Sequence, residues 1–262
     1  MSCVLNRQRA SGSGAQGGGG FIVENSLRFD GASRLTKTFA ANGDSTTTCT
    51  ISTWLKKCEF GAVNTIFDAG GHEELRMHQG TYTDCFEVYH QGSADILHTA
   101  SKYRDPTAWY HVVLVFDNTN VTATDRMRLL VNGVRVTAIA NETSTTLNDA
   151  FSRLLLASHV HSIGSISTGG EYLEGYLAQF ILLDGTASTD ASEFAEYDSN
   201  GNWVPKEITI ATDTGPVAIG QDVGTAIGNM TAGGNLAAAF DGNIAQASAA
   251  AAALGSGSPG YI

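Results

Sequence analysis

The chain has 262 residues, 30 of them glycine, with 15 Lys and Arg against 26 Asp and Glu for a net charge of −11. An acidic balance of that size repels phosphate backbones and so argues against nucleic-acid binding. It is compatible with one large domain or one domain and a smaller one, and no apolar run approaches the roughly 20 residues needed to cross a bilayer.

Residues 1–9 are too short to fold alone, and residues 10–20 (ASGSGAQGGGG) form a flexible linker by composition. Arg7 and Arg9 are followed by no apolar core, so a secretory signal is not expected. A short peptide tethered in this way suits an anchor that orders on a partner surface, or an idle terminus. Further on, SLRFDG (26–31) and CTISTWL (49–55) alternate apolar and polar residues as half-buried strands do. WYHVVLVF (109–116) is apolar, β-branched and aromatic, the pattern of a central strand covered on both faces. Met127 to Val136 carries Asn132-Gly133, a dipeptide that closes two-residue hairpins because both residues tolerate positive φ. Residues 140–148 are polar and predict a loop, 154–164 return to strand character, and 174–185 form a last strand ending on Asp184-Gly185. From about Ile208, Thr, Ala and Gly dominate, and 247–254 has the composition of a short helix.

The ordered segments SLRFDG (26–31), TISTWLK (50–56), WYHVVLVFD (109–117), RLLVNGVRV (128–136) and GYLAQFILLDG (175–185) resemble the laminin-G-like, concanavalin A-like lectin/glucanase domain. The version found in structural proteins of tailed bacteriophages is the most similar, with counterparts also for Phe194 to Asp198 and Gly201 to Lys206. The resemblance covers about residues 24–206 and implies an all-β fold, a two-sheet antiparallel jelly-roll sandwich. The expected organisation is an N-terminal anchor and linker at 1–20, the sandwich at 21–206 and an Ala/Gly-rich extension at 207–262. Within the extension, AFDGN (239–243) and GYI (260–262) resemble the opening of a discoidin-type galactose-binding domain.

Glycoside hydrolysis needs two carboxylates about 5–9 Å apart. The related glucanases place theirs on one strand in an ExDxE-like pattern that this chain lacks; Glu73, Glu74, Asp84 and Glu87 read as scattered, and no enzyme is expected. Laminin-G-like domains often hold calcium at the rim with Asp and carbonyl oxygens. Asp30, Asp68 and Asp184, at strand ends near glycine, are the candidate ligands, and equally residues that bond their own turns. Leu177-Ala178-Gln179 stands where the family usually carries an acidic residue. His159 and His161 alternate and would share a strand face, but nothing fixes a third ligand among His72, His78, His90 and His98. Sugar faces stack on aromatic rings, which selects Tyr82, Tyr89, Tyr103 and Tyr172 in or beside loops; the same tyrosines would suit a subunit interface. Trp54, Trp109, Phe116 and Phe180 lie in apolar strands and are expected in the core. Cys3, Cys49, Cys58 and Cys85 lack metal-finger spacing; Cys49 and Cys58 could bridge a strand pair, but free thiols are expected.

The resemblance implies a non-enzymatic virion structural protein, a tail fibre or head decoration on the phage particle surface, displaying a lectin-like domain for host-glycan attachment. Its partners would be other virion proteins through the N-terminal segment, host glycans and further copies of itself, with no nucleic acid and no membrane insertion. The alternative is a bacterial carbohydrate-binding adhesin, secreted or surface-bound, which would need an export signal.

Overall fold

The computed structural model describes residues 21–23, 25–90, 95–208, 218–219 and 231–233. Strands run in chain order as β1 (Leu27–Asp30), β2 (Arg34–Thr38), β3 (Thr48–Lys57), β4 (Asn64–Ala69), β5 (Glu73–Met77), β6 (Phe86–His90), β7 (Asp95–Thr99) and β8 (Tyr110–Asp117). They continue as β9 (Met127–Val131), β10 (Val134–Arg135), β11 (Ile139–Thr143), β12 (Val160–Ile163), β13 (Glu174–Asp184), β14 (Ala195–Tyr197), β15 (Trp203–Pro205), β16 (Ala218–Ile219) and β17 (Thr231–Gly233). One sheet has the order β1-β13-β3-β8-β9-β10, with β16 along β13; the facing sheet has the order β11-β7-β6-β5-β4-β12-β2-β17. The chain is the jelly-roll sandwich that the resemblance implies. Segments 1–20 and most of 207–262, including 239–243 and 247–254, lie outside the described residues.

Period-two alternation builds the core. Ile51 and Leu55 of β3, Val112, Leu114 and Phe116 of β8, and Met127 and Leu129 of β9 face Phe67, Leu75, Phe86 and Val88 of the other sheet in one buried cluster. β8 is buried on its second face too, where Val113 and Val115 pack with Leu130, Ile181, Ala191 and Phe194. That is why Val112 to Phe116 is continuously apolar. The β9–β10 turn forms as expected: Val131 pairs Val134, with Asn132 at φ 50° and Gly133 at φ 80°.

Several expectations need correction. Trp109 precedes β8, is half-buried and lies outside the inter-sheet core, in a second cluster with Val23, Trp54 and Ala178 on the outer face of the first sheet. Trp54 shares that outer cluster, while Phe116 and Phe180 are in the core. The segment 140–148 is partly strand, β11 pairing β7. Residues 154–159 are not strand; Leu155 and Ser158 have positive φ, and Leu154 and Leu155 plug the core. Cys49 and Cys85 are free and buried, so no Cys49–Cys58 bridge forms, but Cys58 is disulfide-bonded rather than free. In β13 a bulge falls between Ala178 and Ile181, with Gln179 at φ 45°. The extra residue resets the parity, so Leu177, Phe180 and Leu182 all reach the core.

Candidate functional site on the outer face of the eight-stranded sheet

Two rows of side chains cross the second sheet on the face away from the core. Register places Ser162, Asp68, Glu74 and Tyr89 side by side on β12, β4, β5 and β6. The neighbouring row runs Thr65, Arg76, Glu87 and His98 across β4 to β7. On an ordinary half-solvated sheet this polar row would be open to water. Here Asp68, Glu74, Glu87, His98 and Ser162 are all buried, because two loops fold over them. The turn Gly80–Tyr82 lays the Tyr82 ring on His98, centroids 4.2 Å apart and 19° from parallel. The loop after β12 brings Ser167, whose N–H donates to Asp68 Oδ2 at 2.6 Å, and Glu171, whose carbonyl accepts from Thr65 N–H at 2.9 Å.

Arg76 is the hub. Its Nε donates to Glu87 Oε2 at 2.5 Å, its Nη1 to Glu74 Oε2 at 3.1 Å and to Glu171 Oε2 at 2.9 Å, and its guanidinium carbon lies 4.3 Å from the Tyr89 ring centroid. Glu87 is also reached by His78 Nδ1 on Oε2 at 2.9 Å and by His98 Nε2 on Oε1 at 2.5 Å. The two carboxylates separate electrostatically. Burial, reinforced by Asp68, Glu171 and Glu87 and opposed by Arg76, pushes Glu74 up to about 7. Burial pushes Glu87 the same way, but the hydrogen bond and charge of Arg76 with both histidines outweigh it and hold the carboxyl below the usual range. Burial lowers His98 against the pull of Glu87, which favours the neutral ring.

The carboxylates that read as scattered therefore have three distinct placements. Glu74 and Glu87 converge on Arg76 from adjacent strands. Glu73, one residue away, faces the other way and accepts the N–H groups of Ser152, Arg153 and Leu154 at 2.8, 3.0 and 2.9 Å. Asp84, at φ 62°, takes Lys57 Nζ at 2.9 Å, Gly61 N–H at 3.0 Å and Arg104 Nε at 2.7 Å. Burial opposes its ionisation, but these donors prevail and bring it to about 2.

Of the four tyrosines, Tyr82 and Tyr89 share the polar face. Tyr103 instead packs against the core beside Phe86 and Tyr110, where burial pushes its hydroxyl up to about 12. Tyr172 is half-buried beside Gly169, just before β13. The three aspartates do not gather. Asp30 pairs Glu174 at one end of β13 and Asp184 closes the other end, while Asp68 belongs to the facing sheet. Each bonds backbone N–H groups: Asp30 that of Ala32, Asp68 those of Gly71 and Ser167, Asp184 those of Asp44 and Ser45. His161 lies in the core beside Phe39 and Phe67, accepts the N–H of Leu155 on Nε2 at 3.0 Å and directs Nδ1 to the His159 carbonyl at 3.2 Å. Both ring nitrogens are thus engaged, and His159 and His161 do not form a metal pair. Sequence reading missed the Arg76 hub; the one signal available was the polar residue at every second position of Glu74, Arg76 and His78.

A family model described as the concanavalin A-like lectin/glucanases superfamily matches residues 30–191, more than half of the chain. The chain belongs to the concanavalin A-like lectin/glucanase superfamily. A solved structure of a "putative carbohydrate binding protein" from Bacteroides ovatus superposes with a TM-score of 0.56 at 17% identity, covering 80% of this chain. The chain spans 58% of the length of that protein. A native heptameric SAP-like pentraxin from Limulus polyphemus matches with a TM-score of 0.48 at 16% identity, covering 79% of this chain and 94% of that one. No curated protein matches the sequence. Within this superfamily the outer polar face described above, with two half-exposed rings beside a charged network, is the chain's own candidate binding surface.

Proposed function

We propose that this chain is a non-enzymatic carbohydrate-binding domain displayed on the particle surface of a tailed bacteriophage, as a tail fibre or head decoration, where it holds host-surface glycans. The observation that carries the binding part is the shared placement of Tyr82 and Tyr89 with Arg76, Glu74 and Glu171 on one face. A pyranose stacked on a ring finds hydroxyl partners in such a charged network. Support for the absence of catalysis is the engagement of Glu87 by Arg76, His78 and His98, which leaves it poorly placed as a nucleophile or base. The particle role rests on the ordered sequence segments that resemble phage structural proteins, and the anchor at 1–20 is the part that would join other virion proteins.

Individual sites of this kind are shallow, so adhesion would rely on many copies, with avidity gains of about 10² to 10⁴ where geometry allows. A multimeric form probed on arrays of bacterial surface polysaccharides should bind. Tyr82→Ala and Tyr89→Ala should weaken that binding, and no new reducing ends should accumulate. Failure of the multimer to bind any polysaccharide would leave a rigid structural ornament; accumulating reducing ends would make it an enzyme. Incorporation of a form lacking residues 1–20 into particles as efficiently as the full chain would refute the anchor. Recovery of the protein from a bacterial surface rather than from particles would favour the adhesin.

A further inference from the structure

Glu87 sits between two imidazoles in an arrangement that carbohydrate binding does not require. His98 is its direct cross-strand partner from β7. His78 follows the end of β5, and its backbone is held on both sides of the peptide: its N–H donates to the Cys85 carbonyl at 3.0 Å, and its carbonyl accepts from Asp84 N–H at 2.9 Å. The side-chain ligand atoms of His78, Glu87 and His98 lie within 4.8 Å of one another. We propose that these three residues form a site for a divalent transition-metal ion of the zinc class, and this inference stands whether or not the face binds glycans.

Four observations support it. First, two imidazoles and one carboxylate are the donor set of a borderline-soft ion with an open position, whereas calcium wants six to eight oxygens. Second, the surroundings carry more negative than positive charge: Glu87 and Glu171 share one guanidinium, that of Arg76, and Asp68 stands in the adjoining row. A further cation at Glu87 relieves that imbalance. Arg76 bonds Oε2 of Glu87, while Oε1 faces His98. Third, the spacing is within side-chain reach of a coordination sphere. Ligands about 2.0 Å from a tetrahedral ion stand about 3.3 Å apart, so the 2.5 Å gap between His98 Nε2 and Glu87 Oε1 must widen by about 0.8 Å, and any pair as far apart as the 4.8 Å bound must close by about 1.5 Å. Fourth, the His78 side chain is 23% exposed, which gives an ion an entrance and leaves room for water or a sugar hydroxyl as fourth ligand.

Without metal, each imidazole donates its ring hydrogen to Glu87. On binding, that hydrogen moves to the other ring nitrogen and the freed lone pair takes the ion, so neutral rings coordinate with no change in their total protonation. His98 Nδ1 has no hydrogen-bond partner, so one outer support is missing. Such supports are worth about 10- to 100-fold in affinity, and a moderate affinity is therefore expected.

The test uses the full chain, stripped with a chelator and titrated with zinc(II) and cobalt(II). One ion should bind per chain, with a melting-temperature rise of about 5 to 10 °C at a hundredfold excess over Kd and visible absorption bands of tetrahedral cobalt. His78→Ala and His98→Ala should each weaken binding about tenfold or more, and His159→Ala should leave it unchanged. His98→Gln, which can keep a hydrogen bond to Glu87, guards against loss of fold and should also lose the cobalt bands. No saturable ion in the parent protein, or equal binding by folded His78→Ala/His98→Gln, would overturn the site. Repeating the polysaccharide array with and without chelator separates the two readings, since glycan binding can persist when the metal site fails and the reverse.

Discussion

Trp203 and His111, 92 residues apart, are joined by a hydrogen bond of 3.1 Å from the indole Nε1–H to the imidazole Nδ1. That bond fixes the tautomer of a buried ring: Nε2 carries the hydrogen and donates to Ser52 Oγ at 2.9 Å. Trp54 stacks on the same imidazole at 4.8 Å, and the Asn132 side chain accepts its backbone N–H at 2.8 Å. The β14–β15 hairpin is thereby clasped to the outer face of the first sheet, and burial drives His111 down to about 3.

Trp203→Phe keeps an aromatic ring of smaller size but removes the donor. It should lower stability by about 1–3 kcal/mol, the cost of leaving a buried polar atom unpaired. Denaturant midpoints measure it; an unchanged midpoint would mean that water takes the place of the indole.

Glu74 gives a pH signature. Its folded pKa of about 7 exceeds the ordinary glutamate value of 4.5, so between those values the native state binds more protons than the unfolded one. Its contribution to stability is then full at low pH and falls as pH rises through about 7. Glu74→Gln removes this dependence, so the variant should gain on the parent protein between about pH 5 and about pH 8. Parallel melting curves across that range would contradict the assignment.

Gly164 and Gly31 make a matched pair. Both have positive φ, 85° and 79°, but a Cβ at Gly164 runs into the Phe29 ring while one at Gly31 meets nothing within 4 Å. Gly31→Ala should cost only the backbone strain of about 1–2 kcal/mol. Gly164→Ala adds overpacking of about 1–3 kcal/mol, and calorimetric melting of the two proteins should rank them in that order.

Among the tyrosines, Tyr103→Ala should reduce stability by about 3 kcal/mol, because its ring packs against the core. Tyr82→Ala and Tyr89→Ala should cost less and act on glycan binding. A Tyr103→Ala protein as stable as the parent but defective in binding would reverse these roles.

The first sheet and its central hairpin were legible because their physics is local. A strand covered on both faces must be largely apolar, as Val112 to Phe116 is, and a two-residue turn needs positive φ, which Asn132-Gly133 supplies. The superfamily followed from the order of such segments. Apart from β12, within the strand reading of 154–164, the second sheet was not legible. Its β4 to β7 carry Asp68, Glu74, Arg76, Glu87 and His98 on the outer face, and periodicity reads such residues as solvated or as loop. Only tertiary structure decided that loops from residues 80–84 and 165–172 bury them, that Arg76 bridges to Glu171 across 95 positions of sequence, and that Glu73 and Glu74 serve opposite faces. One residue of bulge at Gln179 likewise decided which side of β13 meets the core. Sequence sets the pattern of each strand, but pairing register and loop closure set which charges share a low-dielectric space, and those are properties of the whole fold.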